Sequence, residues 1–335
     1  MRPAFRIYAD SVEITEAVKD RLLEMVVIDE AGLQSDELRL TLDDRRRDDG
    51  AVAELPQIGT VLKAYMGYQE TSLVEMGTYI VDEIELRSPP ATMCVSAKAA
   101  DMPSKFRSPK TKSWHDTTIG DIVSTIAADH GYTPCVDPDL AGIAIHHIDQ
   151  TQESDMSFLT RLASQHDAVA KPMDGKIVFA KTGSGKSVSG KNLPTITLSP
   201  TDLCQWSYKR SARKPGGQDE TKEEPKKGGT RAFWWDYAAG KRQVVEVGDP
   251  PYEEIKYIHA TEKEARDAAT KRKKQGDRRE AELSFSLPGD PGIAAESRLV
   301  VDLRPGIPTE WRIKHVEHRL GTNGYTCQVE CEKFV

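Results

Sequence analysis

No apolar run in this sequence approaches the roughly 20 residues that cross a bilayer as a helix, so no membrane anchor is expected. The first ten residues, MRPAFRIYAD, lack the apolar core of a secretory signal; the expectation is a protein made and folded in a cytoplasm. Cysteine is scarce. The five residues Cys94, Cys135, Cys204, Cys327 and Cys331 are odd in number and widely scattered, which excludes a disulfide framework. Cys327 and Cys331 sit in an alternating strand pattern, on one face but roughly 13 Å apart, beyond disulfide reach. Packed thiols in a reducing compartment are expected. Positive charge is not in excess either: 46 Lys and Arg face 53 Asp and Glu, a net −7. That balance excludes the basic footprint of a general nucleic-acid binder.

Catalytic signatures are also missing. The sequence has no G-x-S-x-G elbow and no H-E-x-x-H pair. The stretch VFAKTGSGKSVSG (178–190) reads A-x-x-x-x-G-K-S from Ala180, one residue from a phosphate-cradling loop. A true phosphate loop needs a helix starting at the Lys-Ser pair, so that N–H groups and the helix N-terminus hold the phosphates. Here Gly190 and Pro194 break any helix, and a flexible Gly/Ser/Lys loop after an edge strand is expected instead. His146 and His147 are adjacent in a strand pattern and point to opposite faces, so they cannot share one ion. His315 and His318 fail for the same reason. The run DDRRRDDG (43–50) is self-neutralising and reads as a solvated loop. The aromatic cluster FWWDY (233–237) reads as an anchor into a core or a subunit interface rather than a stacking platform. No catalytic, cofactor-binding or metal-ligating residue is assigned.

What the sequence does hold is β patterning at both ends and helices between. RLLEMVVID (21–29) is an apolar strand, and DELRLTLDD (36–44) places Leu38, Leu40 and Leu42 on one face. TVLKAYMGY, GTYIVDEIEL and ATMCVSAKA continue the pattern, and together they suggest an antiparallel barrel or sandwich. TTIGDIVSTIAADHGY (117–132) predicts a helix capped by Thr117 or Thr118 and stopped at Gly131. QESDMSFLTRLASQHD (152–167) predicts a second, capped by Ser154, with Asp155 at its positive end and Phe158, Leu159, Leu162 and Ala163 inward. With strands at AIHHID (144–149) and KIVFA (176–180), these make a small α/β unit. TITLSPTDLCQWSYKR (195–210) returns to β. Residues 211–230 hold no large apolar side chain and read as a flexible linker. TEKEARDAATKRKKQG (261–276) opens with a Thr261–Glu264 capping box and ends at Gly276. The C-terminal EWRIKHVEHRLGTNGYTCQVECEKF is a hairpin about Gly321–Gly324, with a bulge expected between Ile313 and Val316.

Two segments carry a family resemblance. HIDQTQESDMSFLTRLASQHDAVAKPMDGKIVFAK (147–181) is similar to a signature of the phage late control gene D proteins, the baseplate hubs of tailed phages. The N-terminal part of type VI secretion spike proteins shares it. Glu153, Ser154, Asp155, Phe158, Leu159, Arg161, Leu162 and Ala163 carry the match. GIPTEWRIKHVEHRLGTNGYTCQVECE (306–332) resembles the same family through Trp311, Ile313, Val316, His318, Gly324 and Tyr325. One departure is His166-Asp167, where many relatives have a glycine after the helix; it bears on loop geometry.

The resemblance implies a mixed, mainly β fold: two antiparallel β-barrel domains with an inserted small α/β domain. The expected boundaries are 1–105 plus 195–210 for the first barrel and 106–194 for the insertion. The linker is 211–230, and the second barrel is 231–335 with a helix at 261–275. It also implies a structural, non-enzymatic hub: a homotrimer whose six β-barrels meet a hexameric tail tube protein on one side and a trimeric central spike protein on the other. An acidic lumen would let a tape-measure protein and DNA pass without sticking. A cell-wall-degrading enzyme or a regulator of late transcription are the alternatives; the first needs a further domain, the second a helix-turn-helix.

Overall fold

The computed structural model describes residues 1–31, 36–46, 53–99, 106, 108–173, 175–182, 195–210 and 228–334. The look-alike phosphate loop from 183 to 190 and nearly all of the expected linker, 211–227, lie outside the described residues.

The first hundred residues give β1 (Pro3–Ala9), β2 (Val12–Glu13), helix α1 (Thr15–Lys19), β3 (Leu22–Glu30), β4 (Glu37–Asp43), β5 (Val61–Tyr68), β6 (Val74–Arg87) and β7 (Thr92–Ala99). The middle gives β8 (Pro109–Thr118), α2 (Ile119–Asp129), β9 (Thr133–Val136), α3 (Pro138–Ala141), β10 (Ala144–Ser154), α4 (Asp155–Gln165), β11 (Ala168–Met173) and β12 (Lys176–Lys181). The remainder gives β13 (Thr195–Leu198), β14 (Gln205–Arg210), β15 (Gly229–Asp236), β16 (Lys241–Val247), β17 (Tyr252–His259), α5 (Glu262–Arg278), β18 (Ala281–Pro288), β19 (Arg298–Val301), β20 (Glu310–Gly321) and β21 (Gly324–Lys333).

The fold is mainly β and largely antiparallel, as expected, but the strands do not close into two separate barrels. Thirteen strands share one sheet, ordered β14-β18-β21-β20-β3-β4-β7-β6-β5-β1-β2, with β13 and β19 branching from β20. The seam is β3 against β20, antiparallel from His315 opposite Glu30 to Gly321 opposite Glu24. Alternation explains why both halves bury one face. Leu38, Leu40 and Leu42 of β4, Leu283, Phe285 and Leu287 of β18, and Tyr325, Cys327, Val329 and Cys331 of β21 all enter a single core. Cys327 and Cys331 are unpaired thiols in that core.

Two segments sit elsewhere than their sequence neighbours suggested. Residues 195–210, expected with the first barrel, pair with the C-terminal strands: β13 runs parallel to β19, and β14 antiparallel to β18. Residues 231–278, expected within the second barrel, and Gly229 and Thr230, expected in the linker, form a three-stranded sheet, β16-β15-β17, covered by α5. The apolar residues that helix buries are Ala265 and Ala269, and it runs through Gly276 to buried Arg278. The anticipated bulge is present, with the β20–β21 register shifting between Ile313 and His315.

The inserted unit has its own core. The α2 stripe Ile119, Ile122, Val123, Ile126 and Ala127 meets Phe158, Leu159, Leu162 and Ala163 of α4 and Ile177 and Phe179 of β12. Both helices start as their sequences dictate. Thr118 accepts from the Asp121 amide, and Ser154 accepts from the Ser157 amide.

Candidate functional site

The Glu-Ser-Asp motif forms at a strand-to-helix corner. β10 bulges between Gln150 and Glu153, with Gln152 at φ +48° and its amide donating to the Thr111 hydroxyl at 3.2 Å. Beyond the bulge Glu153 is half-buried and Asp155 is buried. Glu153 takes a forked contact from Arg161 one helical stretch later, at 2.8 and 3.2 Å, and Arg161 also donates to the Asp149 carbonyl at 2.6 Å. Asp155 is only 3 % exposed at its side chain. It accepts from His130 Nε2 at 2.7 Å, Lys110 Nζ at 2.8 Å and Gln150 Nε2 at 2.9 Å. Burial pushes its carboxyl up, but the hydrogen bonds from His130, Lys110 and Gln150 outweigh it and hold the group below the ordinary value. Asp155 thus ties together β8, β10 and the end of α2 from the first turn of α4. Phe158 stacks on Trp114 at 6.0 Å beneath it.

The C-terminal motif is an inward-facing ladder. Trp311 is fully buried and donates Nε1–H to the Pro308 carbonyl at 2.9 Å. His318 is 1 % exposed. Its Nε2 lies 3.0 Å from the Ile293 carbonyl, which can only accept, so Nε2 carries the proton. Nδ1 then accepts from the Tyr325 hydroxyl at 2.9 Å. Burial pulls His318 below the ordinary histidine value and pushes Tyr325 up. Tyr325 in turn packs on Tyr68, whose hydroxyl donates to the Gly289 carbonyl at 2.8 Å. This contact joins the N-terminal and C-terminal halves.

Charged residues fasten the units to one another. Lys171 of β11 reaches across to Asp36 at 2.6 Å, Asp29 at 3.6 Å and the Glu30 carbonyl at 3.2 Å, all at the β3–β4 corner. Burial lowers Lys171, yet Asp36 and Asp29 raise it above its ordinary value; burial raises Asp36, with Lys171 opposing. At the end of α5, buried Arg278 binds Asp167, and it lies 3.7 Å from Glu332. Glu332 and Glu296 also clasp buried Arg312. Asp167 has φ +50°, the left-handed conformation that a glycine adopts at no cost. The departure noted in the sequence therefore keeps the turn geometry and adds a carboxylate for Arg278. Neighbouring His166 is lowered first by burial and then by the Lys271 charge of α5.

The motif residues fall in two places. Glu153, Ser154 and Asp155 converge on one corner, Phe158, Leu159 and Leu162 lie in the core beneath it, and Trp311, His318 and Tyr325 lie in the other core. The two groups do not meet in one pocket. Sequence reading missed Lys171, Arg278 and Arg312, because their partners are 135, 111 and 20 residues away. Among the described residues no three His, Cys, Asp or Glu side chains gather as a metal cage. The FWWDY cluster is only partly a core anchor: Phe233 and Trp234 are half-buried, while Trp235 and Tyr237 are exposed. Two open cavities of about 240 and 310 Å³ flank β14, lined by Trp206, Tyr208, Arg210 and the 304–308 loop.

The model of the phage tail baseplate hub (GPD) family matches residues 91–324. The chain belongs to that family. A probable baseplate hub protein of Escherichia phage 186 is 32% identical over 99% of this chain and 93% of its own length. The 43 kDa tail protein of prophage MuSo2 from Shewanella oneidensis has a TM-score of 0.67 at 15% identity, covering 98% of each chain. The E. coli c3393 protein, a component of the type VI secretion system similar to T4 tail proteins gp27 and gp5, has a TM-score of 0.57 at 12% identity, covering 94% of this chain and 74% of its own. The baseplate hub family thus assigns this chain a structural role in a phage tail or a tail-like particle.

Proposed function

We propose that three copies of this hub close into a ring that joins a hexameric tail tube to a trimeric central spike, without catalysis. The observation that carries the reading is the β3–β20 seam. It lays a seven-stranded N-terminal group beside a six-stranded C-terminal group in one sheet. Three chains then offer six β units around an axis, the number a six-fold tube requires. The sheet ends support ring closure. β2 and β14 each pair on one side only among the described residues, and each carries an exposed apolar side chain: Val12 at 65% and Trp206 at 40%. Open edges of this kind join a neighbour or aggregate. The exposed Trp235 and Tyr237 offer a further contact. The ring assembles in the host cytoplasm and stays in the virion baseplate. Its lumen passes the tape-measure protein and DNA past acidic side chains.

Light scattering and native mass spectrometry on the purified chain, alone and with a spike protein, test the reading. A mass of three chains and a three-to-three complex with the spike are expected. A monomer at every concentration, with or without spike, refutes it. Wall-degrading activity in a muralytic assay, or sequence-specific DNA binding at about physiological salt, would instead favour an enzyme or a regulator.

A further inference from the structure

The β8–β10 ribbon carries a polar quartet on its exposed face. His115 stands directly opposite His147, and Ser113 directly opposite Asp149. The two imidazoles are tilted by 31° with centroids 4.6 Å apart, and their Nδ1 atoms approach to 3.1 Å. Asp149 Oδ2 lies 3.2 Å from His147 Nε2, and its other oxygen accepts from the Ser113 hydroxyl at 2.6 Å. A carboxylate can only accept there, so His147 carries its proton on Nε2 and turns the bare Nδ1 lone pair toward His115. His115 then donates Nδ1–H to that lone pair. Moving the His115 proton to its own Nε2 leaves two bare Nδ1 atoms side by side.

Two nitrogens at ~2.0–2.1 Å from one ion lie ~2.9 Å apart at a right angle and ~3.3 Å apart in a tetrahedron. The observed separation falls between these values. The carboxylate behind His147 is the arrangement that fixes the tautomer of metal-bound histidines. His146 is excluded, because it faces the other side, near Asp116 at 3.4 Å. The geometry points to a two-histidine site for a divalent transition-metal ion, His115 Nδ1 and His147 Nδ1, oriented by Asp149 and completed by water. Such an ion would cross-link β8 to β10 at positions 32 residues apart in the chain. The ribbon has only two strands, the arrangement least able to hold itself without outside support. The metal would act as a staple on the inserted unit.

Calorimetric titration of the tag-free full chain with NiCl₂ and ZnCl₂ at neutral pH tests this. One ion per chain is expected, with a rise in melting temperature on saturation. His115→Asn and His147→Asn should each abolish binding, and Asp149→Asn should weaken it by roughly 10- to 100-fold. His146→Asn should leave it unchanged. The paramagnetic spectrum of the Cu²⁺ form should show two nitrogen couplings in the wild type. All four side chains are exposed, so circular dichroism should report native folds throughout. No saturable binding to the wild type, or binding that survives in the His115→Asn/His147→Asn double variant, overturns the inference.

Discussion

Replacing Asp155 with alanine removes one carboxylate and takes an acceptor from three donors, although Gln150 Nε2 keeps its other hydrogen bond, to the Glu153 carbonyl at 2.9 Å. Two of them are buried: His130 is 7% exposed and Gln150 is fully buried. A buried donor left unsatisfied costs about 1–3 kcal/mol; His130 bears this in full and Gln150, which keeps one partner, only in part, so the pair contributes about 2–4 kcal/mol. Lys110 adds little, since it is 34% exposed and can turn to Asp129, now 3.8 Å away, or to water. Loss of a negative charge in the first turn of α4 adds about 0.3–1 kcal/mol. Asp155→Asn should cost less, because His130 can switch tautomer and accept from the new amide. Hydrogen exchange resolves the effect locally, where a whole-chain melting curve would mix three cores. Amides of α4 and the end of α2 should exchange at least about tenfold faster in Asp155→Ala, with β4 and β21 unchanged. The pH dependence has a fixed sign. The folded carboxyl is held below its ordinary 3.8, so its stabilisation is complete above that value and is lost as pH falls through the folded value. The wild-type advantage over Asp155→Ala should therefore vanish in strong acid. Equal protection of α4 in both proteins at neutral pH would refute the argument.

Gly289→Ala should be severe. A Cβ there would meet Tyr325 ring carbons at 2.1 Å, where Gly289 and Tyr325 are also joined by a backbone hydrogen bond of 2.8 Å. Overpacking of this kind costs about 3 kcal/mol or more, read as a lowered urea midpoint or insoluble expression. Asp167→Gly relieves a left-handed backbone by about 1 kcal/mol but leaves buried Arg278 short of a partner, so a net loss of about 2 kcal/mol is expected in the same assay; Asp167→Asn should lose less. His318→Gln should flatten the pH dependence of the unfolding midpoint. Burial holds the folded imidazole below 6.5, so wild-type stability is complete above that value and falls as pH drops toward the folded value. An unchanged slope in the variant would contradict the buried, neutral assignment.

Helix α4 shows how much was legible. The Ser154 cap, the acid at Asp155 and the inward face from Phe158 to Ala163 follow from local rules, because their partners lie within a turn or two. The bulge in β20 was legible for the same reason, as a break in alternation. The partners of Asp155 were not, since His130 and Lys110 come from other elements. Nor was the histidine pair: His146-His147 drew attention by adjacency, yet adjacency in a strand separates side chains, and the partner of His147 is on the strand opposite.

The sequence by itself determined helices α2, α4 and α5 and their starts, the alternating strands from β3 to β7 and β18, β20 and β21, the side chains of these elements that face a core, and the family to which the chain belongs. Only the tertiary structure decided that two β regions share one sheet through β3 and β20, and that residues 195–210 join the C-terminal strands. It also decided that Arg278 and Lys171 clasp units far apart in the chain. Capping and alternation act between neighbours along the backbone, so they are written in order. Strand pairing and buried charge act between neighbours in space, and an alternating strand fits many partners until the whole chain has collapsed around it.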